Sequence, residues 1–118
     1  MYHILPESDG STIGICFQEW VSLEDLKTLF PFLENAICEN RSIRVMLDLR
    51  YANGADFLTL IKVGSFLVKY GSAFEKKAVV SDNQRINNFL KSTRYASSGE
   101  IRCFSSCKSE EAWEWIKK

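Results

Sequence analysis

The amino-acid sequence predicts an α/β fold with a mixed, mostly parallel five-stranded sheet, an N-terminal β-hairpin and about four helices. Two strand-like segments come first, separated by the turn formers of residues 8–11. Apolar strands then alternate with amphipathic helical patterns, giving the order β-β-α-β-α-β-α-β-α. The unbroken run Val45-Met46-Leu47 is typical of a central strand that is covered on both faces. Such alternation requires crossover connections, so most of the sheet should be parallel.

The first third of the chain supplies the hairpin and the first helix. Residues 3–5 and 12–21 carry the strand-forming residues, and a hairpin is the simplest connection between them. Ser22, with Asp25 three positions later, predicts a capping box at the start of a helix. Pro31 falls inside the helical pattern, where it removes one backbone hydrogen bond, so we expect a kink or a break there. The apolar positions of this helix are Leu23, Leu26, Phe30, Leu33 and Ile37.

The remaining elements follow the same local rules. A strand over residues 43–49 leads through Asn53-Gly54, a turn signal, to a second helix that starts at about Asp56 and ends near Gly71. A short strand at 78–80 precedes a predicted capping box at 81–84 and a third helix. A last strand at 101–104 precedes a terminal helix, in which Trp113 and Trp115 point to different sides.

Length and composition predict one domain over residues 1–118 and an ordinary globular protein. The chain has 46% apolar and 25% charged residues. Fifteen basic residues balance 15 acidic ones, so we expect no nucleic-acid partner. No apolar run approaches the ~20 residues that span a bilayer, and the N-terminus does not resemble a signal peptide. We therefore expect a cytoplasmic protein without stable membrane insertion, whose four cysteines are buried thiols.

Five short segments carry a recognisable pattern: the opening I-L-P-E-S, the helical L-F-P-F-L-E-N-A-I, the strand V-M-L-D-L, the segment F-E-K-K-A-V-V-S-D and the closing E-E-A-W-E-W-I. Together they resemble the SpoIIAA-like family over nearly the whole chain. The family consists of small bacterial proteins, with a fold shared by STAS domains and related to lipid-carrying CRAL-TRIO domains. The resemblance therefore implies a SpoIIAA/STAS-like fold.

The resemblance also draws attention to the segment after the central strand. In anti-sigma factor antagonists a phosphorylatable serine stands here, whereas residues 50–56 of this chain contain neither serine nor threonine. The candidate equivalent of the switch loop is Tyr51, Asn53, Gly54 and Asp56. Asp56 is read either as a mimic of a permanently charged state or as an ordinary helix N-cap.

No catalytic, metal or cofactor motif stands out. Asp48, at a strand end, invites comparison with the phospho-accepting aspartate of receiver domains, but the acidic pair and the lysine of such a site are missing. Cys103 and Cys107 do not have the spacing of a C-x-x-C site, and His3 is the single histidine. No glycine-rich phosphate loop follows a strand. We therefore expect a non-enzymatic protein without a cofactor.

Helix two is apolar on two sides, and this pattern gives the main functional clue. One arc contains Phe57, Leu60, Ile61, Gly64, Leu67 and Val68, and we expect it to pack on the sheet. The opposite side carries Thr59, Val63, Phe66 and Tyr70, which form the candidate interaction surface. Alternatively, a neighbouring helix covers that side and the stripe belongs to the core.

Two functions remain open at this stage. The first is a STAS-like interaction or regulatory domain that contacts a protein partner or a second copy of itself, as a homodimer, through helix two and residues 51–56. The second, which the CRAL-TRIO resemblance implies, is a carrier or sensor of a small apolar or lipid-like ligand. It requires a cavity of a few hundred Å³, lined by residues such as Phe57, Leu60 and Phe89.

Overall fold

A computed structural model describes residues 1–95 and 99–118 and shows one five-stranded sheet with four α-helices in these ranges. The strands are β1 Tyr2–Ile4, β2 Thr12–Val21, β3 Ile43–Ala55, β4 Phe74–Val80 and β5 Glu100–Phe104; the helices are α1 Leu23–Asn40, α2 Phe57–Lys69, α3 Gln84–Ser92 and α4 Ser109–Lys117. Short 3₁₀ turns occupy Gly71–Ala73, Thr93–Tyr95 and Ser106–Lys108.

The strand order is β1-β2-β3-β4-β5, with β1 antiparallel to β2 and the other pairs parallel. The predicted fold class and element order are therefore confirmed. Because β2 to β5 are adjacent in chain order, each right-handed crossover places its helix on the same face of the sheet. Helices α1, α2 and α3 lie on that face, which we call the crossover face. The opposite face, the α4 face, packs against the terminal helix.

The amino end of α1 is fixed as the sequence predicts. The Ser22 hydroxyl accepts from the Asp25 amide at 3.3 Å, and the Asp25 carboxylate accepts from the Ser22 amide at 3.0 Å. This carboxylate also pairs with the terminal amine of Met1, and these bonds lower its pKa against the raising effect of burial. Of the kink or break predicted at Pro31, the break does not occur: α1 runs continuously through this exposed residue.

Strand β3 extends further than predicted. It continues to Ala55, and its second half pairs with β2 so that Tyr51 lies opposite Gln18 and Gly54 opposite Trp20. The predicted loop through Asn53-Gly54 is thus part of the sheet. Two register shifts, between Cys16 and Gln18 and between Glu19 and Trp20, interrupt this pairing as β-bulges do.

Several smaller expectations need correction. Asn83, not Ser81, caps α3, because its side chain accepts from the amides of Arg85 and Ile86. Of the four cysteines only Cys16 is buried, while Cys103 is half-buried and the other two are exposed. Trp113 and Trp115 of α4 are both half-buried. No helix in the described ranges is long and apolar enough to cross a membrane.

Candidate functional site

Helix α2 buries much of the side that was predicted to form an interaction surface, and of the arc predicted to pack on the sheet only Leu67 is buried. Thr59 and Phe66, which were expected on an interaction surface, are buried, and Val63 and Tyr70 are half-buried. On the other side Phe57 is 77% exposed and Val68 is 63% exposed. The candidate interaction surface is therefore an inner wall, and four residues form the exposed α2 stripe: Phe57, Leu58, Ile61 and Val68.

Helix α1 covers the inner side of α2, as the alternative interpretation anticipated. The Phe30 and Phe66 rings stack with centroids 4.1 Å apart, and Phe66 also contacts Tyr70 and Phe74. The Tyr70 hydroxyl donates to the Glu34 carboxylate on α1, and this bond raises the pKa of the tyrosine. Aromatic pairs of this kind contribute about 0.5–1.5 kcal/mol beyond the area that they bury. Phe66 is thus a core anchor.

A cavity of about 460 Å³ lies between the crossover face and its three helices. Its floor consists of side chains that alternate along the strands, such as Ile15, Val45, Leu47 and Val79. The walls come from the helices: Leu26, Leu29, Phe30 and Leu33 from α1, Thr59, Leu60, Val63, Phe66 and Leu67 from α2, and Ile86, Phe89 and Leu90 from α3. The volume is within the ~300–1,000 Å³ that is typical of small-molecule sites.

One basic side chain is buried in this apolar wall. Lys77, in the middle of β4, is 4% exposed and lines the cavity together with Val45 and Ile101, its neighbours in the sheet register. Its ammonium group lies 5.9 Å from the centroid of the Phe74 ring. Burial lowers its pKa, because the charged form loses hydration.

A second polar group on the wall is the Thr59 hydroxyl. Thr59, in the first turn of α2, is 1% exposed, and its hydroxyl makes no hydrogen bond with the described residues. A buried hydroxyl without a partner costs about 1–3 kcal/mol. Thr93, by contrast, also lines the cavity but donates to the Leu90 carbonyl. Thr59 is therefore available to hydrogen-bond a molecule inside the cavity.

The β2-β3 extension closes one end of the cavity. Asn53 and Gly54, from the candidate switch loop, are among its lining residues, and the Trp20 ring packs over Gly54. At Gly54, φ is +151°, and an added Cβ would lie 3.0 Å from that ring.

The other two switch-loop residues lie outside the lining. Tyr51 is exposed. Asp56 precedes α2 without capping it; its carboxylate accepts instead from the Trp20 indole nitrogen at 3.2 Å. The bond ties the end of β2 to the start of α2.

Asp48 is not an open acceptor. The side chain is buried in mid-strand, and Arg50 donates to its two oxygens from Nε at 2.9 Å and from Nη2 at 2.7 Å. The Arg50 amide donates to the same carboxylate. Its neighbour across the β2-β3 pair is Cys16, whose pKa is raised by burial first and by the Asp48 charge second. The arrangement is a satisfied ion pair beside an inert thiol.

Some of the sequence-predicted residues lie together in the structure. Thr59, Val63 and Phe66 surround one cavity with Asn53 and Gly54. Of the residues expected to line a carrier cavity, Leu60 and Phe89 do so, whereas Phe57 faces outward.

Lys77 was missed by the sequence reasoning, although a signal was present. Two adjacent lysines, Lys76 and Lys77, stand in one strand, so their side chains must point to opposite faces of a sheet that is covered on both sides. Lys76 lies on the α4 face, where its amine donates to the Trp115 carbonyl at 3.2 Å.

An open groove runs between α2 and α3 outside the cavity. It is lined by Phe57, Ile61 and Val68 of the exposed α2 stripe. Leu60, Phe89 and Thr93 line the groove and the cavity alike, so the two spaces share these side chains as a common wall.

Comparison with known proteins places the fold in a family. A family model described as SpoIIAA-like matches residues 12–117. The chain belongs to the SpoIIAA-like family. Among curated proteins no match is found.

Two solved structures share the fold of this SpoIIAA-like protein. An uncharacterized protein of the DUF3478 family from Shewanella loihica PV-4 is 17% identical, with a TM-score of 0.77 over 98% of this chain and 92% of that one. The anti-sigma factor antagonist SpoIIAA in its unphosphorylated form is 9% identical, with a TM-score of 0.63 over 99% and 98%. At these identities the likeness shows the fold alone.

Proposed function

We propose that this SpoIIAA-like protein binds a small apolar ligand in the cavity beneath α1, α2 and α3, as a carrier or a sensor. The observation that supports the proposal is the cavity itself, about 460 Å³ in volume and walled almost entirely by apolar side chains. Divided by the ~30 Å³ that one water molecule occupies in the liquid, this volume has room for about fifteen heavy atoms.

The apolar lining favours an occupant. The space is partly open to solvent, and an apolar ligand that enters it removes both its own surface and that of the wall from water. Burial of this kind contributes about 25 cal/mol per Å² of apolar surface.

Two substitutions on the same helix give a matched test. Val63 lines the cavity, whereas Val68 lies five residues further on, on the exposed stripe. Binding of an environment-sensitive apolar dye, 1-anilinonaphthalene-8-sulfonate, would be titrated by fluorescence, and freshly purified protein would be weighed by native mass spectrometry. We expect Val63→Phe to reduce dye affinity about tenfold by occupying the space, and Val68→Phe to leave it unchanged.

Both measurements can contradict the proposal. A wild-type protein that neither binds the dye nor carries a co-purified small molecule would remove its support. Equal losses in the two variants would indicate that the dye sits on the outer stripe instead. Thermal unfolding of each variant checks that Val63→Phe remains folded.

The exposed α2 stripe favours a second candidate, a regulatory domain that contacts a protein. Phe57, Leu58, Ile61 and Val68 expose large apolar side chains on one short helix, as interaction surfaces do. Ile61→Asp should then abolish capture of the partner from a cell extract, while Ser65→Asp on the same helix should not. An unchanged set of captured proteins and a monomer in light scattering for both variants would argue against this candidate.

A further inference from the structure

We infer that the outer surface of α2 and α3 docks onto a membrane that contains anionic lipid. This docking surface consists of the exposed α2 stripe, the groove beside it and three exposed basic residues, Lys62, Lys69 and Arg85. The inference rests on the proposed function, because it names the phase from which a protein with an apolar cavity takes its ligand.

The apolar part of the docking surface projects into solvent. Phe57, which begins α2, is 77% exposed, and Val68, near its end, is 63% exposed. Trp20 adjoins them, because its indole nitrogen donates to Asp56, the residue before α2. Among the exposed residues of α2, all of which the structure describes, Ser65 alone is polar and uncharged. A protein interface carries about one hydrogen bond per 100–200 Å², whereas a lipid interface takes up apolar side chains without such bonds.

The charges of the docking surface favour an anionic partner. The basic residues of α2 are Lys62 and Lys69, those of α3 are Arg85 and Lys91, and neither helix contains an aspartate or a glutamate. In α1 and α4, by contrast, acidic residues outnumber basic ones. The protein is therefore neutral overall but concentrates positive charge on the two helices that border the groove. Each lysine or arginine near an anionic membrane strengthens binding roughly fivefold.

The two lysines of α2 stand beside the apolar stripe. Lys62 follows Leu58 by four residues and Lys69 follows Ser65 by four, so each lies one turn further along the exposed side of the helix. Lys69 also lines the groove. Lysine stems can lie along apolar surface while their ammonium groups reach the lipid phosphates. A second copy of this chain is a poorer occupant, because a two-fold contact would bring the same lysines towards each other.

The cavity lies directly behind the docking surface. Leu60, Phe89 and Thr93 line both the groove and the cavity, so these side chains separate a molecule in the cavity from whatever covers the groove. A small apolar ligand of the proposed kind partitions into a bilayer in preference to water. Docking through α2 and α3 therefore brings the cavity next to the phase that holds such molecules.

The test measures co-sedimentation of the protein with lipid vesicles. Vesicles of phosphatidylcholine alone are compared with vesicles of an equimolar mixture with phosphatidylglycerol, at low and at high salt concentration. Phe57→Ser removes one apolar group from the docking surface. Phe32→Ser is its control, because Phe32 is 43% exposed on α1, outside the docking surface.

A second pair of variants tests the charges. Lys62→Gln/Lys69→Gln removes two positive charges from the docking surface. Lys117→Gln/Lys118→Gln removes two from the end of α4, on the other face of the sheet, and is the matched control. All four lysines are exposed, so the variants should fold, and thermal unfolding of each checks this.

We expect the wild-type protein to bind the mixed vesicles about tenfold or more tightly than phosphatidylcholine vesicles, and high salt to reduce that difference. Phe57→Ser should weaken binding to the mixed vesicles about tenfold, because it removes a large apolar contact. The double variant Lys62→Gln/Lys69→Gln should weaken it about 25-fold, from roughly fivefold for each charge. Both controls should stay within about twofold of the wild type.

The outcomes separate this inference from the proposed function. If the wild-type protein binds neither kind of vesicle, the inference fails, while dye binding that only Val63→Phe weakens leaves the cavity site standing. If the mixed vesicles bind as expected but no dye binds and no small molecule co-purifies, the docking surface stands and the proposed function fails.

Three further results would overturn the inference. Equal affinity for the two kinds of vesicle would remove the assignment to anionic lipid. Equal losses in each variant and its control would place the contact elsewhere on the protein. A protein partner that is lost in Ile61→Asp, without any binding to vesicles, would assign the exposed α2 stripe to protein contact instead.

Discussion

The two faces of the sheet are packed in different ways, although the same strands supply both. On the α4 face Met46, Ala78, Val80, Ala112 and Ile116 form a cluster in which no residue is more than 1% exposed. On the crossover face the neighbouring residues in sequence surround a cavity of about 460 Å³. The α4 face is therefore close-packed under one helix, whereas the crossover face retains a cavity under three helices.

Side-chain size explains much of the difference. On the α4 face small residues allow close approach: a Cβ at Gly14 would lie 2.5 Å from the Trp113 ring, and Ala78 faces the same helix. On the crossover face, bulky aromatic contacts such as Phe30 on Phe66 join α1 to α2 above the sheet. These contacts hold α1 and α2 to one another, and Phe66 also contacts Phe74 in β4. The cavity lies among these bulky side chains and the strands.

The largest expected effect comes from truncating the packed face. Ile116→Ala should reduce the free energy of unfolding by about 2–5 kcal/mol, because the close-packed cluster cannot collapse into the gap. Leu60→Ala, on the half-buried wall between cavity and groove, should cost less than about 1.5 kcal/mol, since space is already present there. Urea unfolding of both variants measures the difference, and equal losses would mean that the two faces are equally packed.

Enlarging a side chain should destabilise the α4 face but not the crossover face. Val79 and Val80 are adjacent and fully buried, but Val79 faces the cavity and Val80 the α4 cluster. Val80→Leu should destabilise by about 1–3 kcal/mol through overpacking, whereas Val79→Leu should be neutral or stabilising by up to about 1 kcal/mol. Denaturant midpoints of the ligand-free proteins decide this. A loss of similar size in both variants would argue that the cavity is filled by its own side chains.

The burial of Lys77 on the crossover face predicts that the free energy of unfolding depends on pH. The pKa of Lys77 is lower in the folded protein than its ordinary value of about 10.4, so the unfolded chain binds more protons between those two values. The contribution of Lys77 to the free energy of unfolding should therefore rise with pH across that window, and its burial penalty is fully present below the window. The raised pKa values of the Cys16 and Cys103 thiols act in the opposite direction at alkaline pH, so the comparison with Lys77→Met isolates the lysine. Lys77→Met should remove this slope and raise stability at neutral pH by about 1 kcal/mol. Thermal unfolding at several pH values up to 10 checks it, with Lys62→Met keeping the slope of the wild type.

The smallest effect concerns how the crossover helices are capped. Asn83→Ala should cost about 1 kcal/mol, because the side chain accepts from two amides at the start of α3. Asp56→Ala should cost about 0.5 kcal/mol or less, because that carboxylate caps nothing and loses one exposed bond to Trp20. Chemical denaturation measures the free energy of unfolding of both variants. A larger loss of stability in Asp56→Ala would show that the hydrogen bond from Trp20 to Asp56 contributes more than the Asn83 cap.

Local rules predicted this fold well because they act over a few residues. The Ser22 capping box and the Val45 to Leu47 core strand need only neighbouring side chains, and both appear in the structure. The Asn53-Gly54 turn failed because pairing with β2, more than thirty residues earlier in the chain, outweighs the local turn preference.

The candidate site was harder to predict, for a different reason. Periodicity gave both stripes of α2, but it cannot say which one faces the sheet when both are apolar. The choice depends on Phe30 of α1 stacking on Phe66, a contact between distant segments. Sequence periodicity cannot predict the cavity, because the cavity is the space that remains between three separately predicted helices and the sheet.

The positions of the tryptophans allow fluorescence from the two faces of the sheet to be measured separately. Trp20 borders the cavity, while Trp113 and Trp115 belong to the helix that covers the other face of the sheet. A protein with phenylalanine at positions 113 and 115 would emit from the cavity side alone, and one with phenylalanine at position 20 from the packed side alone. The two emission spectra would report separately on the cavity side and on the close-packed α4 face of the protein.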